Sequence, residues 1–122
     1  MSESGLIDWE QLEMIFGEED EEFDEDMAEL FHEFVEDGKG CLESLKSASF
    51  DTDKDSLCRN SHKLKGSSSN FGYSKVAKAL ANIEDNMAIL TYEAFKASLS
   101  EAEIAFHEST EEIKRKYTAL QN

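Results

Sequence analysis

The chain has 122 residues, of which 39% are hydrophobic, and its formal net charge at pH 7 is −16. This length suffices for one hydrophobic core but not for two. The negative charge argues against binding to nucleic acid or to an anionic membrane surface, because both require clustered Lys and Arg side chains. No apolar run approaches the roughly 20 residues of a membrane span, and the acidic N-terminus is unlike a signal peptide. We therefore predict a single cytoplasmic domain over residues 1–122, flexible at residues 1–5.

The chain begins with a short amphipathic helix. Asp8 is a candidate N-cap and Gly17 ends the helix, whose apolar positions are Trp9, Leu12, Ile15 and Phe16. Eight of the nine residues over 18–26 are acidic. Such a run favours a helix N-terminus, where the macrodipole stabilises negative charge. It also suits a surface that steers a basic partner, and the two interpretations stay open.

A second helix extends from Phe23 to Leu45, with apolar side chains at helical period. Gly38 and Gly40 weaken its middle, so we expect either a bend or close packing against a neighbouring helix there. Residues 49–53 form a turn, after which a third helix begins. Of the two cysteines, Cys41 lies on the second helix and Cys58 on the third. They fit neither a disulfide framework nor a zinc-ligand spacing, so two reduced thiols are expected.

The third helix ends near residues 70–72, a C-cap signal. The apolar pattern extends a fourth helix from Val76 to Leu90 and a fifth from Tyr92 to Leu120. No stretch alternates with period two for long enough to predict a strand. Four long helices joined by short turns predict an all-α, antiparallel up-down-up-down four-helix bundle, with the short extra N-terminal helix across one end. An initiating methionine and a length that closes one bundle favour a free-standing monomer.

The third helix has an unusual surface. His62 follows the apolar face of this helix by one residue, so it is rotated from that face by about 100° and faces outward. Lys65 and Gly66 lie at i+3 and i+4, the positions that neighbour His62 on the helix surface. A glycine in a helix interior costs roughly 1 kcal/mol relative to alanine. That cost is easiest to justify if a large group must come close to His62.

The same segment carries a family resemblance. From His62 to Gly72 the sequence is HKLKGSSSNFG, which fills every position of the pattern H-x-L-K-G-[SA]-[SA]-x-x-[LIF]-G. It resembles the signature of histidine-containing phosphotransfer (HPt) domains. A weaker resemblance covers almost the whole chain, since residues 7–9 with Leu12 and Ile15 are similar to the short first helix of stand-alone members of that family.

The resemblance implies a function. Nε2 of His62 would attack the aspartyl phosphate of a receiver domain and later pass the phosphoryl group to another receiver aspartate. The receiver brings Mg²⁺, so no cofactor is expected on this chain. Lys65 is expected to pair with the phosphoryl oxygens, and Gly66 to leave clearance for the partner. Ser69 and Arg59 are weaker candidates for neighbours of the phosphoryl group.

The resemblance also implies that the receiver docks on the first helix and the start of the second, which lie beside the third. The candidate docking residues are Leu12, Ile15, Phe16, Met27 and Lys63. Leu12 and Phe16 are alternatively core residues that cap the bundle end, so Ile15 and Met27 are the preferred exposed pair. Trp9 is expected to be a buried anchor.

Other functions have less support. Glu29 and His32 have the Glu-x-x-His spacing of di-iron bundles, but Glu103 and His107 are four residues apart, so the second unit is missing and no metal site is expected. No nucleotide-binding loop or kinase motif is present, so we expect a phosphoryl carrier and not an ATP-dependent kinase. The main alternative is a pseudo-HPt or helical interaction module, which docks a receiver or kinase without accepting phosphate.

Overall fold

The computed structural model describes residues 5–17 and 25–121. Within these ranges the chain is all-helical and contains no strand, as predicted. The elements are α1 (Trp9–Phe16), α2 (Glu25–Ser47), α3 (Lys54–Asn70), α4 (Ser74–Asn86), α5 (Tyr92–Lys116) and a 3₁₀ helix (Thr118–Gln121). The predicted flexibility of residues 1–4, the acidic run up to residue 24 and the predicted helix start at Phe23 lie outside the described residues.

The four long helices form the predicted bundle. α2 packs against α3 and α5, and α4 packs against the same two helices, so the α3–α4 edge lies opposite the α2–α5 edge. Each helix turns its apolar face inward, and the fully buried core includes Phe31, Leu45, Leu57, Leu80, Ile83 and Ile113. None of the helices in the described ranges has both the length and the apolar character that crossing a membrane requires.

Two helices end earlier than the apolar pattern predicts. α4 ends at Asn86 instead of Leu90, and residues 87–89 form a turn in which the Asn86 carbonyl accepts the N–H groups of both Ile89 and Leu90. α5 ends at Lys116, and the chain continues as the 3₁₀ helix, which still buries Leu120. Turns that bury apolar side chains continue the hydrophobic pattern without continuing the helix.

α1 lies across the end of the bundle at which α3 turns into α4. Its N-cap Asp8 accepts a hydrogen bond from the Gln11 N–H and donates its own N–H to the Gly72 carbonyl at 2.8 Å. The Gln11 side-chain amide donates to the Asn70 carbonyl at 3.0 Å. These bonds attach α1 to the C-terminus of α3, the placement that the resemblance implied.

The apolar face of α1 belongs to the core. Leu12 and Phe16 are 0% and 1% exposed, and the Phe16 ring packs against the rings of Phe31 and Tyr117. The prediction that Leu12 and Phe16 contact a docking partner is therefore wrong, and the alternative that they cap the bundle end is correct. Trp9 is half-buried and packs against this core.

Two residues define the turn between α3 and α4. Gly72 has a φ of +75°, and a Cβ there would lie 2.8 Å from the Asp8 carbonyl oxygen, so the position favours glycine strongly. Tyr73 is fully buried and its hydroxyl donates to Thr110 Oγ1, since the Thr110 hydrogen is already donated to the Phe106 carbonyl. Burial raises the pKa of Tyr73, so the hydroxyl keeps its proton. The turn is thereby attached to α5.

Gly38 allows α2 to approach α5 closely. It is buried, and a Cβ there would lie 2.5 Å from Cζ of Phe106. The Phe106 ring has little room to move, because it packs against the rings of Phe34 and Tyr73. Gly40 is exposed and has no atom within 4 Å of the equivalent Cβ position. Of the two expectations for this stretch, close packing therefore holds at Gly38.

Alanine at these two glycines is expected to change stability in opposite directions. Gly38→Ala should lower the free energy of unfolding by about 1–3 kcal/mol, because the added methyl group overlaps a ring that cannot retreat. Gly40→Ala should raise it by about 0.5–1 kcal/mol through higher helix propensity alone. Urea denaturation of both variants measures the difference. A Gly38→Ala variant as stable as the wild type would mean that the Phe106 ring moves aside without cost.

Candidate functional site

His62 lies on the surface of α3, as the helical pattern predicts. Leu57, Ser61, Leu64 and Ser68 form the buried face of this helix. The next position after Ser61 is turned away from the core, and 68% of the His62 side chain is exposed. The imidazole is thus accessible to another protein, on the edge of the bundle that α3 shares with α4.

A carboxylate on α4 holds both the imidazole and the neighbouring lysine. Nδ1 of His62 lies 2.7 Å from Oε2 of Glu84, and Nζ of Lys65 lies 2.7 Å from Oε1 of the same side chain. The Glu84 side chain is 20% exposed and the Lys65 side chain 30% exposed. Lys65 therefore lies against the bundle with its ammonium group bound to Glu84.

The ion pair determines which ring nitrogen of His62 carries the hydrogen. The hydrogen bond from Lys65, with a smaller contribution from His62, lowers the pKa of Glu84 despite partial desolvation. The hydrogen bond to Glu84 raises the pKa of Lys65. At neutral pH Glu84 is therefore ionised and can only accept, so the hydrogen in the short contact is on Nδ1. In the neutral imidazole the lone pair is then on Nε2.

Open backbone lies beside the ring. Gly66 is exposed, and no atom lies within 4 Å of the Cβ that another residue would have there. The alternative that Gly66 serves close helix packing therefore has no support, because no helix packs against it. On α4, Ala81 lies about one helical turn before Glu84, on the same side of the helix. The neighbours of the imidazole and its carboxylate on this surface therefore include two residues with little or no side chain, Gly66 and Ala81, beside the charged Lys65.

The weaker candidates lie on the same outer surface of α3. Arg59, Lys63 and Ser69 are all exposed. Ser69 is seven residues after His62, and Arg59 is three residues before it, so both lie on the same side of the helix as the imidazole. Neither bonds to His62. Their contact with a phosphoryl group stays a prediction.

The predicted docking pair is less exposed than expected. Ile15 and Met27 are half-buried and pack against the core. The exposed apolar side chains of α1 and α2 are Met14, at 81%, and Leu30, at 47%. Leu30 also lines a groove between α2 and α3, together with Phe34, Leu64, Phe71 and the rim residues Glu33, Asp37 and Lys63. The direction in which α1 presents its residues depends on how it packs, which the apolar pattern alone does not specify.

Glu84 is the site residue that the sequence analysis missed. It directly follows the buried Ile83, so the pattern reads it as an ordinary polar residue on the solvent side of α4. A usable signal was the helical hairpin itself. His62 precedes the turn glycine Gly72 by ten residues and Glu84 follows it by twelve, so antiparallel packing brings the two to similar heights.

Among residues 5–17 and 25–121, no group of three or more His, Cys, Asp or Glu side chains could hold a metal ion. His32 is half-buried beside the Phe31 ring, whereas His107 is exposed on α5. Cys41 and Cys58 are both half-buried free thiols.

The chain was compared with protein families, with curated proteins and with solved structures. A family model described as the Hpt domain matches residues 29–122. This range includes α3, α4 and the bonded side chains of His62, Lys65 and Glu84. Neither the curated proteins nor the solved structures include a match to the chain.

Proposed function

Because the chain belongs to the Hpt domain family, whose members are phosphocarrier modules of phosphorelays and not kinases, we propose that it carries a phosphoryl group on Nε2 of His62. The group comes from the aspartyl phosphate of one receiver domain and goes to the aspartate of another. The observation that supports this proposal best is the exposed imidazole with Nδ1 bonded to the Glu84 carboxylate. This arrangement leaves the lone pair of the neutral ring on Nε2, in a side chain that is 68% exposed.

The transfer needs one bond to form and one to break. The Nε2 lone pair attacks phosphorus, the bond from phosphorus to the aspartate oxygen breaks, and the carboxylate leaves with the electron pair. The imidazole retains the hydrogen on Nδ1, so the ring becomes positively charged. Glu84, 2.7 Å from Nδ1, stabilises that charge without taking the proton. Passing the group to the second receiver reverses these steps.

Lys65 is proposed to gain a second partner when His62 is phosphorylated. In the unphosphorylated protein its ammonium group is bound to Glu84, and Lys65 lies one helical turn from the ring that receives the dianionic group. An ammonium group has three donors, so it can contact a phosphoryl oxygen while keeping its bond to Glu84. Mg²⁺ is expected on the receiver alone, and the chain is proposed to act as a cytoplasmic monomer.

We propose that the receiver docks over the α3 surface and the adjacent α2–α3 groove. Leu30 is 47% exposed and lines that groove. Lys63, which directly follows His62, lies on its rim, so the groove is continuous with the phosphoryl-accepting surface. Met14 replaces the buried Leu12 and Phe16 as the apolar contact that α1 offers.

The direct test is transfer from receiver domains phosphorylated with labelled acetyl phosphate. The expected product is labelled protein that loses its label in acid and keeps it in base, as a phosphohistidine does. ³¹P–¹H correlation spectra should assign the phosphoryl group to Nε2. A receiver that binds without transferring label would identify an interaction module, and label on Nδ1 would contradict the role given to Glu84.

Glu84→Gln is expected to slow transfer to His62 by about 10- to 100-fold, the range that a hydrogen bond to a charged group contributes. The amide keeps the shape but can donate as well as accept, so it no longer favours one tautomer or stabilises the charged ring. ¹⁵N spectra of the imidazole should show a larger share of the tautomer with hydrogen on Nε2. The matched control is Asp85→Asn, which removes the same charge from the exposed neighbouring position. Equal rates for the two variants would remove Glu84 from the mechanism.

A further inference from the structure

The helix that carries His62 has a net positive charge, unlike the other described helices of this acidic protein. α3 contains Lys54, Arg59, Lys63 and Lys65, and Asp55 is its one acidic residue, whereas the whole chain has a formal net charge of −16. α3 is therefore a positively charged helix on a strongly negative molecule. The imidazole therefore lies on a helix whose own charge is opposite in sign to that of the whole chain.

Two of these cations are available to a partner. Lys65 is bound to Glu84, but the exposed side chains of Arg59 and Lys63 form no ion pair or hydrogen bond with any residue in the described parts of the chain. Arg59 precedes His62 by three residues and Lys63 follows it directly. Acidic neighbours are Asp55, one helical turn before Arg59, and Glu33 and Asp37, which share the groove rim with Lys63. On the α4 side, the Glu84 carboxylate is already bonded to His62 and Lys65.

We infer that Arg59 and Lys63 form a steering pair that attracts the acidic phosphorylation pocket of a receiver domain to His62. This inference rests on the proposed function, which makes a receiver the partner. That pocket combines an aspartate with the carboxylates that hold Mg²⁺, and it is more negative still when phosphorylated. The complementary surface on this chain is the outer face of α3 between Arg59 and Gly66.

Steering is required because the overall charge opposes the encounter. A partner with a negative surface is repelled by most of this molecule, so unassisted approach to His62 would be disfavoured in almost every orientation. At physiological ionic strength the Debye length is about 8 Å, so distant acidic residues are screened and the charges beside the contact dominate. Rim charges of this kind change the association rate and its salt dependence more than they change later steps.

The experiment compares three charge reversals with equal effects on net charge. Arg59→Glu and Lys63→Glu alter the proposed pair, and Lys39→Glu is the control. Lys39 lies on α2, its side chain is 65% exposed, and it borders the groove of the opposite α2–α5 edge. Association of a fluorescently labelled receiver domain is measured by stopped flow at ionic strengths of about 0.01 M and about 1 M, where the Debye length is about 30 Å and about 3 Å. Transfer within the complex is measured separately, at saturating phosphorylated receiver.

At low ionic strength Arg59→Glu and Lys63→Glu should each slow association by about tenfold, whereas Lys39→Glu should stay within about twofold of the wild type. At high ionic strength all four proteins should converge. Equal slowing in Lys39→Glu would attribute the effect to net charge and overturn the inference, as would unchanged rates in the other two variants. Slower transfer in the saturated complex would instead make Arg59 or Lys63 a phosphoryl contact. Binding without transfer would overturn the proposed function alone, and the absence of binding to any receiver would overturn both.

Discussion

The His62→Gln variant is expected to take up no phosphoryl group from any phosphorylated receiver while remaining folded. Glutamine has no ring nitrogen with a basic lone pair, so the bond to phosphorus cannot form. The position is 68% exposed, and substitutions at such surface positions usually change the free energy of unfolding by no more than about 0.5 kcal/mol. The loss of label should therefore be complete, without a matching loss of helical signal in circular dichroism or of melting temperature.

The matched control for this variant is His107→Gln, which removes an exposed histidine from α5, the helix diagonally opposite α3 in the bundle. It should accept label at the wild-type rate. Label that survives in His62→Gln and disappears in His107→Gln would show that His107, and not His62, accepts the phosphoryl group. Loss of label in both variants would indicate an effect of folding, which the melting temperatures would reveal.

Replacing Gly66 by glutamine is expected to stabilise the protein and yet reduce transfer by about 100-fold or more. A Cβ at this position meets no atom within 4 Å, so the change gains about 0.5 kcal/mol of helix propensity without a steric penalty inside the molecule. The new side chain would neighbour His62 on the outer surface of α3. It would occupy the space through which a receiver aspartate must reach Nε2, and a displacement of about 1 Å can cost 100-fold in rate.

The control is the same substitution at Gly40, which is also exposed, also helical and also without a contact within 4 Å of the added Cβ. Gly40→Gln should gain similar stability and transfer normally. Thermal denaturation of both variants measures the gain from helix propensity, and the transfer rate of both variants measures the access of the receiver to His62. A Gly66→Gln variant that transfers at the wild-type rate would show that the receiver does not approach over this part of α3.

The pair of glycine variants isolates a trade between stability and access. Gly66 weakens the C-terminal half of α3, and no internal contact requires glycine there. Gly72, by contrast, has a positive φ, and a Cβ at this position would lie 2.8 Å from the Asp8 carbonyl oxygen. The fold therefore requires glycine at position 72, whereas at position 66 the expected reason for glycine is access to His62. Both positions lie in the same eleven-residue motif from His62 to Gly72.

Local periodicity was sufficient to predict the helices, the bundle and the outward imidazole. A helix rotates by about 100° per residue, so once Ser61 and Leu64 are assigned to the core, the direction of His62 follows from geometry within one helix. The same reasoning placed Lys65 and Gly66 beside the ring. Each of these inferences depends on residues fewer than five positions apart, where the backbone itself sets the distance.

Contacts between helices had to come from the tertiary structure. The partner of His62 and Lys65 is Glu84, which lies on another helix, and its position depends on the register of the α3–α4 hairpin and on where Gly72 turns the chain. The packing of α1 likewise buries Leu12 and Phe16 and leaves Met14 exposed. Helical period predicts which residues share a face, but the neighbour that covers the face is selected by packing among distant segments. The motif therefore identified the proposed nucleophile, and the fold supplied the carboxylate that bonds to it.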